Sequence, residues 1–530
     1  MNYLKSLLLI IALNTSILRA QTIFVSGNQS GEWQADTIRL TNDVIVAYGE
    51  KLTIKAGATI IADNYCGIKV YGGLEAIGDS DNRITFDVSD TTHFSNYEII
   101  KGSWTGIEFN NCSDRIILHY CDFSHGKTEL DGDGGVMRFY GVDDAEISHC
   151  TFSNNIMRRK GGALYAEHST LNINNTEVFD NRGYNYEGSY QHGGGMAFVN
   201  CDITMDDMYF HDNYCPACYG GGVCFDSCNL ILNKAIIENN YATNAGGIGI
   251  QRSAHLDVKL SNLLITHNTV AHYGGGMAIA TADPIISNST IAYNSCVGAG
   301  GGGLQTAFEA KPTFVNTIIY GNFWKETGND LELGSQIFIW GSDCDPCFYN
   351  GIIQGGLSLI YNSFNVNKEH FINIADTDPL FVDPENNNFM LSKESPAIDA
   401  GNSNDYPILL PPTDLAGNQR IFNNIIDLGC YEYNNISVNE IAYNDDIKIV
   451  PNPLDNSSIC SFILKERSSV SLKLITLDGR IVFHKNYEFN TYGKVSIKLD
   501  EALQHLNKNN NIYIINIVTD DEILAAKVVY

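Results

Sequence analysis

Apolar and polar residues alternate along most of this chain in short runs, as in Ala163-Leu164-Tyr165, Leu171-Asn172-Ile173 and Val258-Lys259-Leu260. Such runs are rich in strand formers and too short for helices. Gly and Asn stand between them, where the backbone must turn with positive φ. The pattern predicts many short strands and few helices.

The breaks recur. A glycine pair followed by small or apolar residues returns at 134, 161, 194, 221, 246, 275 and 302, in steps of 27, 33, 27, 25, 29 and 27 residues. Ahead of most of these pairs comes an apolar residue with Asn three places on, in the series Phe152/Asn155, Val178/Asn181, Phe210/Asn213, Ile237/Asn240, Ile265/Asn268, Ile291/Asn294 and Ile319/Asn322. Two marks in fixed phase define one repeating unit, and a period in this range signals a solenoid, a propeller or an array. A propeller blade needs a longer unit and longer strands. We therefore read each unit as one turn of a parallel β-helix, with three short strands and three bends, stacked about 4.8 Å from the next turn. An Asn stacked on the Asn of the next turn would satisfy backbone groups left unpaired in a buried bend, which makes these residues scaffold rather than site.

The chain opens with Lys5, an apolar run from Leu7 to Ile11 and a small residue at Ala20, the pattern of a secretory signal peptide over 1–20. With 33 basic and 61 acidic residues the net charge is −28, which argues against nucleic acid or anionic lipid as the main partner. The expected organisation is a cap and first turns over 21–100, regular repeats over 101–330, closing turns over 331–433, a linker over 434–446 and a small β-sandwich over 447–530. The strands expected in that sandwich include Ile459–Leu464, Val470–Thr476 and Ile512–Val518. Fourteen cysteines in an exported chain point to disulfides. Cys121/Cys150 and Cys201/Cys228 should stack, either bridged or merely packed. Cys215-Pro-Ala-Cys218 and Cys344-Asp-Pro-Cys347 have the spacing of zinc or redox motifs, but read better as local disulfides.

Several segments carry family resemblances. Leu52 to Ile60, Gly78 to Phe86 and Trp104-Thr-Gly-Ile107 resemble the opening of bacterial right-handed β-helix proteins. Gly-Gly-Ala-Leu at 161–164 and Phe-Ser-Asn-Asn at 152–155, with their copies, resemble the repeats of the polymorphic outer-membrane proteins, which implies a β-helical surface adhesin. The membrane barrel of that family has no counterpart here. Asp378 to Pro384, Ser395 to Gly401, Asp414 to Arg420 and Asp427 to Tyr433 resemble the closing segment of secreted bacterial β-helices. Asp399, Asp414 and Asp427 within it read as turn caps rather than metal ligands. Val450-Pro-Asn-Pro453, Leu477-Asp-Gly-Arg480 and Lys527-Val-Val529 resemble the C-terminal sorting domain of type IX secretion cargo, although the usual Gly before Tyr513 is replaced by Asn511-Ile512. That likeness implies type IX machinery as a partner, and a secreted or outer-surface location.

Loops at one phase of a solenoid gather on one edge. Those between each marker Asn and the next glycine pair hold Tyr184, Tyr186, Tyr190, His192, Tyr214, Tyr219, Tyr241, His272 and Tyr273. Aromatic faces with polar rims suit sugar rings, whereas the plainer reading packs them onto the coil. Arg158, Arg159 and Lys160, with Glu187 opposite, form a basic trio suited to an anionic polysaccharide. Surface glycan binding is the first functional expectation, and a polysaccharide lyase or glycosidase using the cleft from Arg158 to His192 is the alternative. No catalytic residue is singled out. Calcium is conceivable at Asp131-Gly-Asp133, where two carboxylates fall short of the six or more oxygens it takes.

Overall fold

The computed structural model describes residues 21–128, 132–184, 191–324, 333–362, 369–402, 408–421, 425–433, 447–450, 454, 458–464, 468–476, 481–489, 491, 493–503, 512–519 and 523–529. From Thr22 to Ala375 the chain winds as a coil of parallel strands in which each strand pairs with its counterpart one turn earlier and one turn later. One turn shows the plan. Met196–Val199 forms the first face, Asp202–His211 forms the second and third, and the backbone changes face at Asn200, Asp207 and Asp212, all left-handed (φ 53–54°). Single left-handed residues recur at these corners in neighbouring turns, as at Ser227, Lys234 and Asn239. Asn and Asp tolerate that conformation because their short side chains bond locally.

Alternation fixes which side faces inward. Met196, Phe198, Ile203, Met205, Met208 and Phe210 fill the interior of their turn. In-register stacking places like on like, so Phe86, Phe123 and Phe152 form a column with centroids 4.8 and 4.9 Å apart. Cys121 beside Cys150, and Cys201 beside Cys228, lie in neighbouring turns as expected. All four are unbridged thiols.

The asparagine reading holds in detail. Asn240 Oδ1 accepts from Asn213 N (3.1 Å) and Asn213 Nδ2 (2.9 Å), while Asn240 Nδ2 donates to Phe210 O and to Asn268 Oδ1. The same arrangement runs unbroken from Asn155 to Asn322. Gly126 N caps the first rung, and Gln336 Oε1 closes the last by accepting from Asn322 N and Nδ2. The glycine phase needs a correction. The left-handed position falls on Gly134, Gly161, Gly193, Gly220, Ala245, Gly274 and Gly301, so the second step is 32 residues, not 33.

Coil pairing ends at Phe371–Ala375, earlier than the closing turns expected to 433. The described residues between Phe381 and Tyr433 run along the outside of the third face, which is apolar there. Leu264, Ala292, Ile318 and Ile352 pack against Phe389, Leu391, Leu428 and Tyr431. Covering those outward residues takes their apolar surface out of water, which favours the strap. Arg420, fully buried, clips this strap to the coil through Asn262 and is neutralised by Glu432 at 2.7 Å. Asp414 and Asp427 act as turn caps, whereas Asp399 is itself capped. Asp414 accepts from Asn418 N and Glu432 N, and Asp427 from Asp399 N and Tyr433 N.

Residues 447–529 form antiparallel strands in two sheets, Ile447–Val450/Ile459–Leu464/Gly493–Lys498 and Ile481–Phe489/Ser468–Thr476/Ile512–Val518/Ile523–Val529. They enclose a core of their own around Phe462, Leu472 and Ile515. Residues 1–20 and 434–446 lie outside the described residues.

Candidate functional site: a groove between coil and loop sheet

After each ladder Asn the chain leaves the coil and runs briefly parallel to its counterpart in the next turn. These excursions form a second, eight-stranded sheet that includes Ile156–Met157, Arg182–Gly183, Tyr214–Tyr219, Tyr241–Asn244 and Thr269–Tyr273. Their last residues stack as a row, Lys160, His192, Tyr219, Asn244 and Tyr273, each accepting through its carbonyl from the left-handed residue of the turn before. The row folds back over the outward side of the first face, where the in-register residues from Ala197 to Ala278 are Ala197, Cys224, Gly249 and Ala278. Small residues there leave room. The ring of Tyr219 lies on Gly249 so closely that a Cβ at 249 would meet Tyr219 Cδ1 at 2.5 Å.

Between that row and the corner after the first face runs a groove of about 940 Å³, from His192 to Trp340. His272 and Tyr273 line the loop side, and Gln251, Arg252, Thr281, Phe308 and Trp340 line the corner side. His192 Nδ1 lies 3.4 Å from Gln251 Nε2 and 3.7 Å from Cys224 Sγ. Burial holds its pKa down at about 4, so the imidazole is neutral at physiological pH. Arg252 Nε donates to Asp226 Oδ1 at 2.7 Å, and Asp226 is 1 % exposed, so the one charged side chain that lines the groove among the described residues is already neutralised. Burial raises the Cys224 thiol well above its usual range, which leaves it unreactive.

The expected site residues divide into separate groups. His192, Tyr219, His272 and Tyr273 line the groove. Tyr214 and Tyr241 stack on each other at 4.9 Å and 14°, on the row of the loop sheet that also holds Arg182 and Thr269. Each ring covers one face of the other, which leaves less of the flat platform expected of them. Tyr184 likewise stacks on Tyr97 at 5.0 Å. Tyr186, Glu187 and Tyr190 lie outside the described residues.

The basic trio is not assembled. Arg158 is 3 % exposed and donates to Tyr97 O, beside Lys127, whose Nζ donates to Phe94 O (2.5 Å), Asn96 O (3.1 Å) and Ile99 O (3.2 Å). Two buried cations thus pin the insertion around residues 94–99. Arg159 faces Asp133 at 3.8 Å, and Lys160 Nζ sits 3.3 Å from Tyr165 Oη. Alternation along an excursion sends neighbouring side chains to opposite sides, which three adjacent cations cannot escape. Asp131 lies outside the described residues, and among the described residues no group of three His, Cys, Asp or Glu side chains is placed to hold a metal.

Cys215 and Cys218 form a disulfide within one excursion, as expected, while Cys344 and Cys347 are unbridged, contrary to expectation. Phe308, Gln251, Trp340 and the ladder-closing Gln336 were missed in the sequence. The first three occupy outward or corner positions that carry no repeated mark.

Residues 82–262 match the family described as a right handed beta helix region. The coil is a right-handed parallel β-helix. A comparison with curated proteins found no match. The matched stretch holds the first half of the groove, and its far wall at Phe308 and Trp340 lies beyond it.

Proposed function

We propose that this is an exported surface protein that binds glycans along the groove of its β-helix, in the manner of an adhesin. The observation that carries the reading is the groove itself: an elongated, open trough lined by aromatic rings, amides and hydroxyls, with Arg252, the one charge lining it among the described residues, neutralised. Rings stack on the C–H faces of sugars while amides bond their hydroxyls, and few other ligands need both along a line. Tyr219 Oη and Asn244 Oδ1 on the loop side are buried polar atoms with no hydrogen-bond partner among the described residues. The likeness to polymorphic outer-membrane protein repeats agrees with this reading, as does a C-terminal antiparallel unit like the type IX sorting domain, which would deliver the chain across the outer membrane. The lyase alternative rested on an open basic trio. With Arg158 buried and Arg159 beside Asp133, binding is the better-supported reading.

The test is a glycan array probed with the full exported chain, alongside Ala280→Trp, which fills the trough. Binding that Ala280→Trp abolishes is the expected result. Release of an unsaturated sugar product from uronate polymers would replace this reading with the lyase one.

A further inference from the structure

Phe308 stands in the left-handed region at φ 50°, next to Glu309 at φ 65°, and is 64 % exposed. A bulky aromatic residue in that conformation is strained, and its exposed ring recovers little through burial. One turn on, Trp340 pairs in register with Ala307 and is 41 % exposed. Its indole is held by stacking on Phe338 (6.1 Å, 9°), which in turn stacks on Tyr361 (4.4 Å, 2°). Both rings line the same end of the groove. The left-handed corner itself belongs to the coil, being held by Asn200, Ser227, Arg252 and Thr281 in the turns before, but of these five Phe308 alone sets an aromatic ring there, exposed beside a second, braced one, which marks a place built for a ligand.

Resting on the glycan reading, we propose that Phe308 and Trp340 form the principal sugar subsite, and that it takes a neutral pyranose chain running from there toward His192. Neutrality follows from charge. Arg252 is tied to Asp226, so among the described residues a uronate would find no spare cation lining the groove, and the chain as a whole carries −28. Direction follows from spacing. Successive turns rise about 4.8 Å, close to the length of one pyranose, so one sugar falls on each turn from Trp340 through Thr281 and Gln251.

The experiment measures binding of neutral oligosaccharides (glucan, mannan and galactan fragments) and of uronate oligosaccharides to the full exported chain, by calorimetry and tryptophan emission. Neutral ligands should bind, and Phe308→Gly and Trp340→Ala should each weaken them about tenfold, with Trp340→Phe largely retaining affinity. Phe308→Gly should melt no lower than the parent, which separates lost binding from lost folding. Neutral binding blocked by Ala280→Trp but unmoved by either aromatic change would overturn the subsite and leave the groove reading standing. Preference for uronates would overturn the neutral class. Failure of every glycan, or binding of peptides instead, would overturn both.

Discussion

At the bend where loop returns to coil a single methyl group is already too large. A Cβ on Gly162 would lie 1.6 Å from Gly194 O, and one on Gly194 would lie 2.3 Å from Gly221 O, so glycine recurs because successive turns touch backbone to backbone. The asparagine at the other side of the excursion answers a different need. Asn240 is buried and serves Asn213, Phe210 and Asn268 at once. Asn240→Ala strands the Asn213 amide and should cost about 2–4 kcal/mol in chemical denaturation, far more than an exposed corner change such as Asn111→Ala. His192 gives a pH-dependent signature. Its folded pKa of about 4 lies below the ordinary 6.5, so between those values the unfolded chain binds more protons. Stability is therefore full above the ordinary value and declines as pH falls toward the folded one. The facing groups are Cys224 and Gln251, with Asp226, Lys160 and Arg252 nearby. Melting temperature against pH should fall less steeply across this window for His192→Gln than for the parent.

At the scale of elements, the excursion sheet depends on how little stands beneath it. Gly249 is the floor under Tyr219, and Gly249→Ala drives the ring outward. The expected outcome is a loss of about 1–3 kcal/mol, together with a narrowed groove that weakens glycan binding, read by calorimetry on the same sample. Much at this scale was legible from sequence. The strands of the coil, the asparagine column and the sandwich strands Ile459–Leu464 and Ile512–Val518 follow from alternation and spacing. What escaped is physically instructive. The strap from Phe381 to Tyr433 was read as more turns, because its cue lies in other residues: the outward positions Leu264, Ile318 and Ile352, apolar where Thr151 and Glu177 in the same column are polar. The tyrosines were expected to offer faces, and in-register repetition sets equal rings one above the other, so Tyr214 and Tyr241 each cover one face of the other. Phe308 stands at the left-handed corner that recurs at Asn200, Ser227, Arg252 and Thr281, so its backbone follows the period, whereas the aromatic side chain there repeats nothing and carried no cue.

The whole molecule holds separate cores, one continuous along the coil and one within residues 447–529. Calorimetry of the full chain should resolve two transitions. The smaller should vanish when the chain is cut after residue 446, with the larger unmoved by more than a few degrees. Thiol titration in denaturant without reductant should count twelve free groups, since Cys215 and Cys218 are the joined pair.

The amide column has a deeper corollary for how such a molecule changes in length. Gly126 starts it and Gln336 finishes it, and every rung between makes the same bonds to the rung above and the rung below. Interior storeys are therefore interchangeable. Excising 240–267 would join Asn239 to Asn268 and offer the same acceptor to Asn213, so the tower should close up one floor shorter with its foundations and roof untouched. Cutting a residue more or less would disturb only the join, since turns of unequal length already stack in one register and their excursions take up the difference. Length in this protein is quantised, and a gain or loss of reach along the trough comes in whole sugars.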